Sequence, residues 1–541
     1  MKEISVRACV ADFEKASAFI ENELQRYRIS KQIAAENLMV FEALFNDIVR
    51  KGFPPETEIR LESRHSLGSP NLRIVFPGKR YIPLGGESLE DAVEYRILKG
   101  YEDKLEYGYH SSYNVIRLNV RRAYAPQAVL FFAGYLLSLF VFGALTLFGG
   151  RLNAEGLLEH VVVPTEKLYL NAVLMVGTPM TFFSILKNML ETYIVSERSS
   201  AARKLQFKTL VTSCTGIGLA LGCGFAVKQF MPQIKGVFGA FTISGYTYRD
   251  LPLLLADLVP ADVFEPFRMY SPFALIILSF LIVIALRSAG NRFDQLKSAV
   301  DACYVLFSRM LNLVTALLPL GCFWSFLHLL LERGSEGFMG VALCLCTVLP
   351  GVFLVFALYA LRLKCAGIRV TDFVKRMAPV FRENGRINSA IDAVPYNVRH
   401  CSRILGIDRR YLEEALPVLA QINLDGNCFI IMELTMLLIV SSGASLSWWN
   451  YLLLAAVVLF LSFGAPNQPG SILIGMLIIF NYLKVPEMLP AAVYCEALFG
   501  NLQNFVNVTG DFVMVAIEDR RMKTAKNRKK ETKDGSKGSH A

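Results

Sequence analysis

The sequence predicts an all-α multi-pass membrane protein that carries a soluble α/β segment at its amino terminus. Three observations predict it. First, 53% of the 541 residues are apolar before glycine is counted, only 19% are charged, and the mean hydropathy is +0.40. A soluble domain is nearer roughly 45–50% apolar with glycine included. Second, the charge is uneven: residues 1–122 hold 19 Lys/Arg and 18 Asp/Glu, as a soluble domain does. Third, the chain beyond residue 122 contains charge-free runs long enough to cross a bilayer, for which about 20 residues suffice. An ordinary cytosolic enzyme, a disordered chain and a fibrous repeat are excluded. A tail from Arg520 onward carries nine Lys/Arg, so the formal +10 reads as a topology signal and not as a nucleic-acid footprint. The 11 cysteines are scattered and contain no CxxC pair, which leaves neither a disulfide framework nor a cysteine metal site.

In chain order, helices are expected over 11–27 and 31–51, then strands around 58–63, 72–76 and 115–120. The charge-free runs come next: Ala123–Gly150, Leu168–Leu186, Thr209–Val227, Met269–Leu286, Met310–Leu331 and Phe338–Leu361. The first comes after a complete soluble segment, so no signal peptide is expected. With the amino terminus inside, the cytoplasmic loops carry 16 Lys/Arg and the opposite loops 7, which places both termini in the cytoplasm.

Beyond Arg386 the pattern is no longer one of simple spans. Leu434–Leu483 is charge-free over 50 residues, too long for one helix, and is interrupted by Gly464-Ala465-Pro466-Asn467-Gln468-Pro469-Gly470, which no continuous helix tolerates. Asn423-Leu424-Asp425-Gly426-Asn427 before it and Asn507-Val508-Thr509-Gly510-Asp511 after it each put a carboxylate and a glycine into an apolar segment. Both are expected to break their helices, because unwound carbonyls and half-helix ends coordinate ions and substrates in secondary transporters. Glu433 and His328 are further ionisable residues at apolar depth. The first is expected to face the bundle or its interface, the second to be a satisfied polar residue near its helix end.

These motifs resemble the dicarboxylate/amino-acid:cation symporter family, the glutamate-transporter homologues. Asn423–Asn427 is similar to the family's Asn-Met-Asp-Gly-Thr motif, and Asn507–Asp511 matches its eighth-helix motif without a change. Gly464-Ala465-Pro466 with Gly470 resembles the tip of the second re-entrant hairpin, and Asn388-Ser389 through Pro395 stands where the serine-rich first hairpin lies. The similarity covers about residues 125–520. It implies eight transmembrane helices plus two re-entrant hairpins, a homotrimer in the cell inner membrane, and three parts: 1–122, the symporter domain 123–519, and the basic tail 520–541.

The resemblance also implies site residues. Asn423, Asp425, Asn507 and Asp511, with Thr215 of the third helix, would hold Na⁺; H⁺ is the alternative coupling ion, and no other cofactor is expected. In the third helix the family's tyrosine falls on Val211 and one hydroxyl on Cys214. The substrate site is read onto Ser389, Asp392, Asn427, Ala465, Gly470, Gly500, Gln503 and Asn504. The arginine that reads a side-chain carboxylate in acidic-substrate members falls on Gln503, and the aspartate that holds the ammonium falls on Gly500. A neutral amide does not replace a guanidinium fork. Glutamate and aspartate are therefore disfavoured, and a polar neutral solute or a monocarboxylate is expected.

In the soluble segment, Met39–Asn46 resembles the N-box helix of anti-sigma-factor kinases, of Bergerat ATPase fold. There Glu42 and Asn46 would activate water and hold Mg²⁺, and Asn114 resembles the final strand entry. Phe76-Pro77-Gly78 stands where an Asp-x-Gly reads adenine, and only Gly85-Gly86 represents the lid. A degenerate α/β sandwich that binds ATP weakly or not at all is expected. The leading reading is a cation-coupled transporter with a fused regulatory domain, open to a cytoplasmic protein partner. A sensor signalling through residues 1–122 and a membrane-tethered kinase are the alternatives.

Overall fold

The computed structural model describes most of the chain; outside the described residues lie chiefly 82–97, 99–104, 121–126, 149–153, 231–242, 244–255, 289–291, 385–389, 465–469 and 538–541. The chain divides into two compact units, residues 1–126 with 392–413, and residues 127–391 with 414–541.

In the first unit, strand β1 (Lys2–Arg7) precedes helices α1 (Phe13–Arg26) and α2 (Lys31–Arg50), followed by β2 (Glu58–Ser66), β3 (Ser69–Pro77), β4 (Leu105–His110) and β5 (Tyr113–Asn119). The strands form one antiparallel sheet in the order β1-β2-β3-β5-β4. Alternate residues of the sheet, Ile59 and Leu61, Leu72, Ile74 and Phe76, Ile116 and Leu118, are buried in one core with Ile20, Leu24, Phe41, Leu44 and Phe45 of the helices. That is the period-2 and period-3.6 burial the sequence shows. The expected helices and three strands are present. Strands β1 and β4 are additional to the expectation: β1 has only six residues, of which Ile4 and Val6 alone are apolar, and β4 contains a glycine.

The second unit is helical. Among the described residues, six helical stretches are long and apolar enough to cross a membrane: Leu130–Leu147, Glu155–Leu190, Lys204–Phe230, Phe293–Ala316, Met339–Cys365 and Arg409–Ser442, the last of them broken near its middle, with shorter apolar helices at Phe273–Arg287, Trp448–Ser462 and Ser471–Tyr482. Local chemistry sets several ends. Helix α3 (Pro272–Arg287) starts with proline at its first position and the Ser271 hydroxyl accepting from the Ala274 amide, a pairing suited to an amino-terminal cap. The charge-free helix Leu130–Leu147 exposes Phe132, Leu136, Phe140 and Leu147, an apolar face of the kind that meets lipid.

Four helices position the acid cluster: Ser200–Phe230, α4 (Ser335–Cys365), α5 (Asp425–Ser442) and α6 (Leu489–Lys537). A helix over Arg409–Ile422 stops short of α5, with Leu424 between them outside helical geometry at φ −108, ψ 49. The expected break at Asn423–Asn427 is therefore present. The helix α7 (Trp448–Gly464) ends at the Gly/Pro segment, and α8 (Ser471–Tyr482) begins after Gly470, whose φ is +102. The third expected break is absent: α6 runs without interruption through Asn507–Asp511. Glycine inside a helix costs only about 1 kcal/mol relative to alanine, and here it has a packing use at the site.

Candidate functional site

Helix α5 begins with Asp425 in its first turn, where the helix dipole favours an anion, and every residue from Asp425 to Ser441 is buried. Asp425 accepts from the Tyr359 hydroxyl of α4 at 2.9 Å and from the Ser213 hydroxyl at 3.3 Å. From α6, Asp511 accepts from the Asn423 amide nitrogen at 2.9 Å, while the Asn423 oxygen accepts from the Thr212 hydroxyl at 3.3 Å. Asn507 closes the group: its amide oxygen accepts from the Gly426 backbone N–H at 2.7 Å. Asn423, Asp425, Asn507 and Asp511 are thus brought together. Gly510 permits the approach, because a Cβ there would lie 2.8 Å from the Tyr359 hydroxyl and 2.9 Å from the Asn423 amide.

The hydroxyls that complete this group differ from the expectation. Thr212 and Ser213 are buried and reach the acid cluster, whereas Thr215 is exposed and its hydroxyl donates to the Thr212 carbonyl. Thr215 lies three residues from Thr212 but only two from Ser213, so the face that meets α5 passes it by. Thr212 and Ser213 lie in the third-helix stretch from which the sequence offered Thr215, whereas Tyr359 carries no motif that marks it.

Among the described residues, the hydrogen-bond partners of Asp425 and Asp511 are all neutral. The Arg362 guanidinium stands 5.9 Å from the centre of the Tyr359 ring without bonding either acid, and two carboxylates removed from water with neutral hydrogen-bond partners are costly. Carboxylate, amide and hydroxyl oxygens in one cluster suit a hard monovalent cation, so the donor set fits Na⁺. Further along α5 from Asp425, Asn427 is 0% exposed, and both its Oδ1 and Nδ2 lack a hydrogen-bond partner among the described residues. A buried amide with neither end paired is expensive, and this one points to a polar ligand.

On α6, Gln503 and Asn504 are buried, and the Gln503 oxygen accepts from the Ser471 hydroxyl of α8 at 2.8 Å. At Gly500 a Cβ would lie 2.5 Å from Oε1 of Glu496. The sequence reading missed Glu496, although an acid in the apolar start of α6 was a legible signal. Its carboxylate accepts from the backbone N–H groups of Gly470 (2.8 Å), Ile472 (3.0 Å) and Leu473 (3.0 Å). An acid thus stands one turn before position 500, held by backbone N–H groups. Ser389 and Ala465 lie outside the described residues, as does the side chain of Asp392.

Two other ionisable residues fall where their depth suggested. His328 shares a 2.5 Å hydrogen bond with Glu166. Glu433 is buried, with Oε2 unpaired among the described residues.

In the first unit, Glu42 accepts from Nη1 and Nη2 of Arg409 at 2.6 and 2.7 Å, a two-bond fork. Asn46 is exposed. Asn114 is buried in fold-building bonds, its oxygen accepting from the Tyr81 amide and its nitrogen donating to the Lys79 carbonyl. The acid next to Asn46, Asp47, accepts from the Tyr81 hydroxyl at 2.5 Å; burial, followed by that carboxylate, pushes the Tyr81 phenol well above its ordinary range.

The model of the sodium:dicarboxylate symporter family matches residues 131–521. The L-cystine uptake protein TcyP of Bacillus anthracis is 21% identical over 398 residues, covering 67% of this chain and 85% of the relative. The C4-dicarboxylate transport protein 2 of Ralstonia nicotianae is 24% identical over 297 residues, covering 53% of this chain and 65% of the relative. The match begins after the first unit's sheet and spans every residue of the acid cluster.

Proposed function

Because the chain belongs to the sodium:dicarboxylate symporter family, we propose that this integral membrane protein is a Na⁺-coupled transporter of a small organic solute other than glutamate or aspartate. The observation that carries the reading is the buried acid pair with neutral partners only, beside an Asn427 amide unpaired at both ends among the described residues. Asp425 and Asp511 supply the negative charge that a coupling cation balances, and the amide oxygen of Asn423 with the hydroxyls of Thr212 and Ser213 offers it further ligands. Asn427 offers a solute a donor and an acceptor.

The solute class follows from Gln503. It brings no charge, and its oxygen is held by Ser471, so a second solute carboxylate finds no fork there. A neutral polar amino acid fits this chemistry. The relatives named for L-cystine uptake and for C4-dicarboxylate transport bracket the candidates; Gln503 disfavours the second class, and cystine, whose two carboxylates each stand beside an ammonium of their own, would still leave one carboxylate without a fork. We place the protein in the cell inner membrane as a homotrimer with both termini cytoplasmic. Uptake into proteoliposomes under an imposed Na⁺ gradient tests the reading, with cystine, glutamine, serine, succinate and glutamate as solutes. Na⁺-driven accumulation of a neutral amino acid supports it. Equal uptake with and without the gradient defeats it.

A second reading, a sensor whose transport core signals through residues 1–126, is favoured by one observation: residues 392–413 belong to the amino-terminal unit, tied there by Arg409 to Glu42 and by Arg399 to Glu21 at 3.3 Å. On either reading this unit is regulatory, and Glu42 serves an ion pair in place of nucleotide chemistry. Solute binding without Na⁺-driven flux in the full chain selects the sensor. Micromolar Mg-ATP affinity by calorimetry overturns the regulatory assignment of Glu42.

A further inference from the structure

Three arginines of the amino-terminal unit line one pocket. The helix Ala390–His400 runs into a single wider turn, Cys401–Leu405, and the next helix starts at Arg409. Residues 392–413 form one compact unit with 1–126. The spacing of Arg399, Ser402 and Arg403, at i, i+3 and i+4, puts all three on one helical face. Together with Arg409 they line an open-mouthed pocket of about 420 Å³, whose other polar lining residues are Ser17 of α1 and Glu42 of α2. Small-molecule sites occupy about 300–1,000 Å³.

The three guanidinium groups are unequally engaged. Arg409 is committed: two of its nitrogens donate to Glu42, and its Nε donates to Glu413 at 2.8 Å. Arg399 makes one bond of 3.3 Å, to Glu21, out of the five N–H donors of a guanidinium. Arg403 has no hydrogen bond or ion pair among the described residues. Burial, and after it the neighbouring Arg403, hold the half-buried Arg399 below its ordinary range. Two like charges are thus gathered with one long bond between them and the acids, which an anion would relieve. Of the acids in this network only Glu42 lines the pocket, so the lining charges are three positive and one negative.

We propose that this pocket binds the phosphoryl group of a small, soluble organic phosphate. Arg399 and Arg403 supply paired donors, the Ser17 and Ser402 hydroxyls supply single ones, and Arg409 takes part to the extent that Glu42 releases it. A phosphoryl group brings nearly two charges and three terminal oxygens, more than one carboxylate offers, and guanidinium forks match such oxygens. Phe13 and the buried Leu38 line the same pocket and give the carbon part of the ligand an apolar wall. Glu42 is the ligand's internal competitor for Arg409. The site involves no residue of the acid cluster, and the inference stands whether or not the protein transports a solute.

The test titrates the full chain in detergent, by calorimetry at constant ionic strength, with inorganic phosphate, glycerol phosphate and, as the carboxylate control, acetate. The wild type should bind glycerol phosphate saturably and about tenfold or more tighter than acetate. Arg399→Gln and Arg403→Gln should each weaken this binding about tenfold or more. Arg403→Gln should do so with an unchanged melting temperature, because Arg403 is exposed and bonds nothing among the described residues. Glu42→Gln should act in the opposite direction and tighten binding, as Arg409 is released; a purely structural ion-pair network predicts no such gain. Should Glu42→Gln fail to fold, the two arginine variants decide. Micelles doped with phosphatidic acid separate the sources: arginine-dependent binding to them, with none to glycerol phosphate, assigns the phosphoryl group to a lipid and overturns the soluble ligand. A wild type that binds neither phosphate better than acetate, or binding that survives both arginine substitutions, overturns the site. Na⁺-driven uptake is read at no step, so that failure leaves the transporter reading untouched.

Discussion

Two buried acidic sites on the same helix solve opposite problems. Near the middle of α6, Asp511 joins Asp425 at the break that precedes α5, and the partners of both acids are neutral side chains. Nearer the start of α6, Glu496 is also buried, yet three backbone N–H groups at one helix end satisfy it. A helix end brings about half a positive charge with fixed geometry, so Glu496 needs nothing from outside. Asp425 also lies in the first turn of α5, and the Arg362 guanidinium stands 5.9 Å from the centre of the Tyr359 ring, but the hydrogen bonds to the aspartate pair come from side-chain dipoles alone, which answer its charge less fully than three backbone N–H groups answer Glu496. One membrane helix thus carries two buried acids paired in different ways: backbone N–H groups hold Glu496, and a side-chain amide pairs Asp511.

The largest effect should come from taking the charge out of the aspartate pair. Asp511→Asn and Asp425→Asn are each expected to lower Na⁺ affinity by about 10²-fold or more, since a neutral amide leaves a buried cation unbalanced. Na⁺ titration of the melting temperature and Na⁺-driven uptake measure this. Full Na⁺ dependence in both variants would erase the distinction drawn between the two acid sites.

A second prediction concerns solutes. Gln503→Arg, which restores a guanidinium one turn from Gly500, should move preference toward dicarboxylates, on the order of 10-fold to 10²-fold in the ratio of succinate to glutamine affinity. The shift should be larger when Glu496→Ala is combined with it, because the introduced guanidinium then has no resident carboxylate to pair with instead. Competition binding on the single and double variants checks both statements.

The third tests Glu496 through its glycine. Gly500→Ala should destabilise the wild-type background by about 1–3 kcal/mol, the usual range for overpacking. In the Glu496→Ala background the same substitution should stabilise by about 0.5–1 kcal/mol, since alanine is the better helix former. Thermal unfolding of the four proteins gives the sign in each background. Equal effects in both would show that Glu496 is not what position 500 accommodates.

The smallest effect belongs to an acid outside the membrane. The Arg7 amide, and after it Lys15, hold the half-buried Asp12 carboxylate below the ordinary range. A depressed folded-state value means that its contribution is present above the ordinary carboxylate range and is lost as pH falls through the depressed one. Asp12→Asn should therefore lower the melting temperature slightly at neutral pH and not at all below about pH 3, near the lower end of carboxylate titration. A pH series of melting curves on the two proteins suffices.

Much was legible in the residues alone. Hydropathy and charge point to a chain that enters a membrane after a charged α/β segment, because a charge-free run of about 20 residues is long enough to span a bilayer. The Asn-Leu-Asp-Gly-Asn segment announces a broken helix, since a buried acid beside a glycine in an apolar run has few structural uses. The same logic fails at Asn507–Asp511, where α6 continues unbroken. An Asp-Gly pair specifies close approach as readily as it specifies a break, and only the position of Tyr359 and Asn423 against Gly510 tells which. The hydroxyls beside the acids were equally open: Thr212, Ser213 and Thr215 are alike as letters, and the rotation of one helix against α5 chose the first two. Glu496 shows the limit most plainly. Its depth was legible, but its three donors come from a helix start some 25 residues away along the chain. Backbone N–H groups carry no residue identity, so a carboxylate that they satisfy leaves no pairing pattern in a sequence; it is the packing of α8 against α6 that pairs this acid and leaves Asp425 and Asp511 with neutral partners.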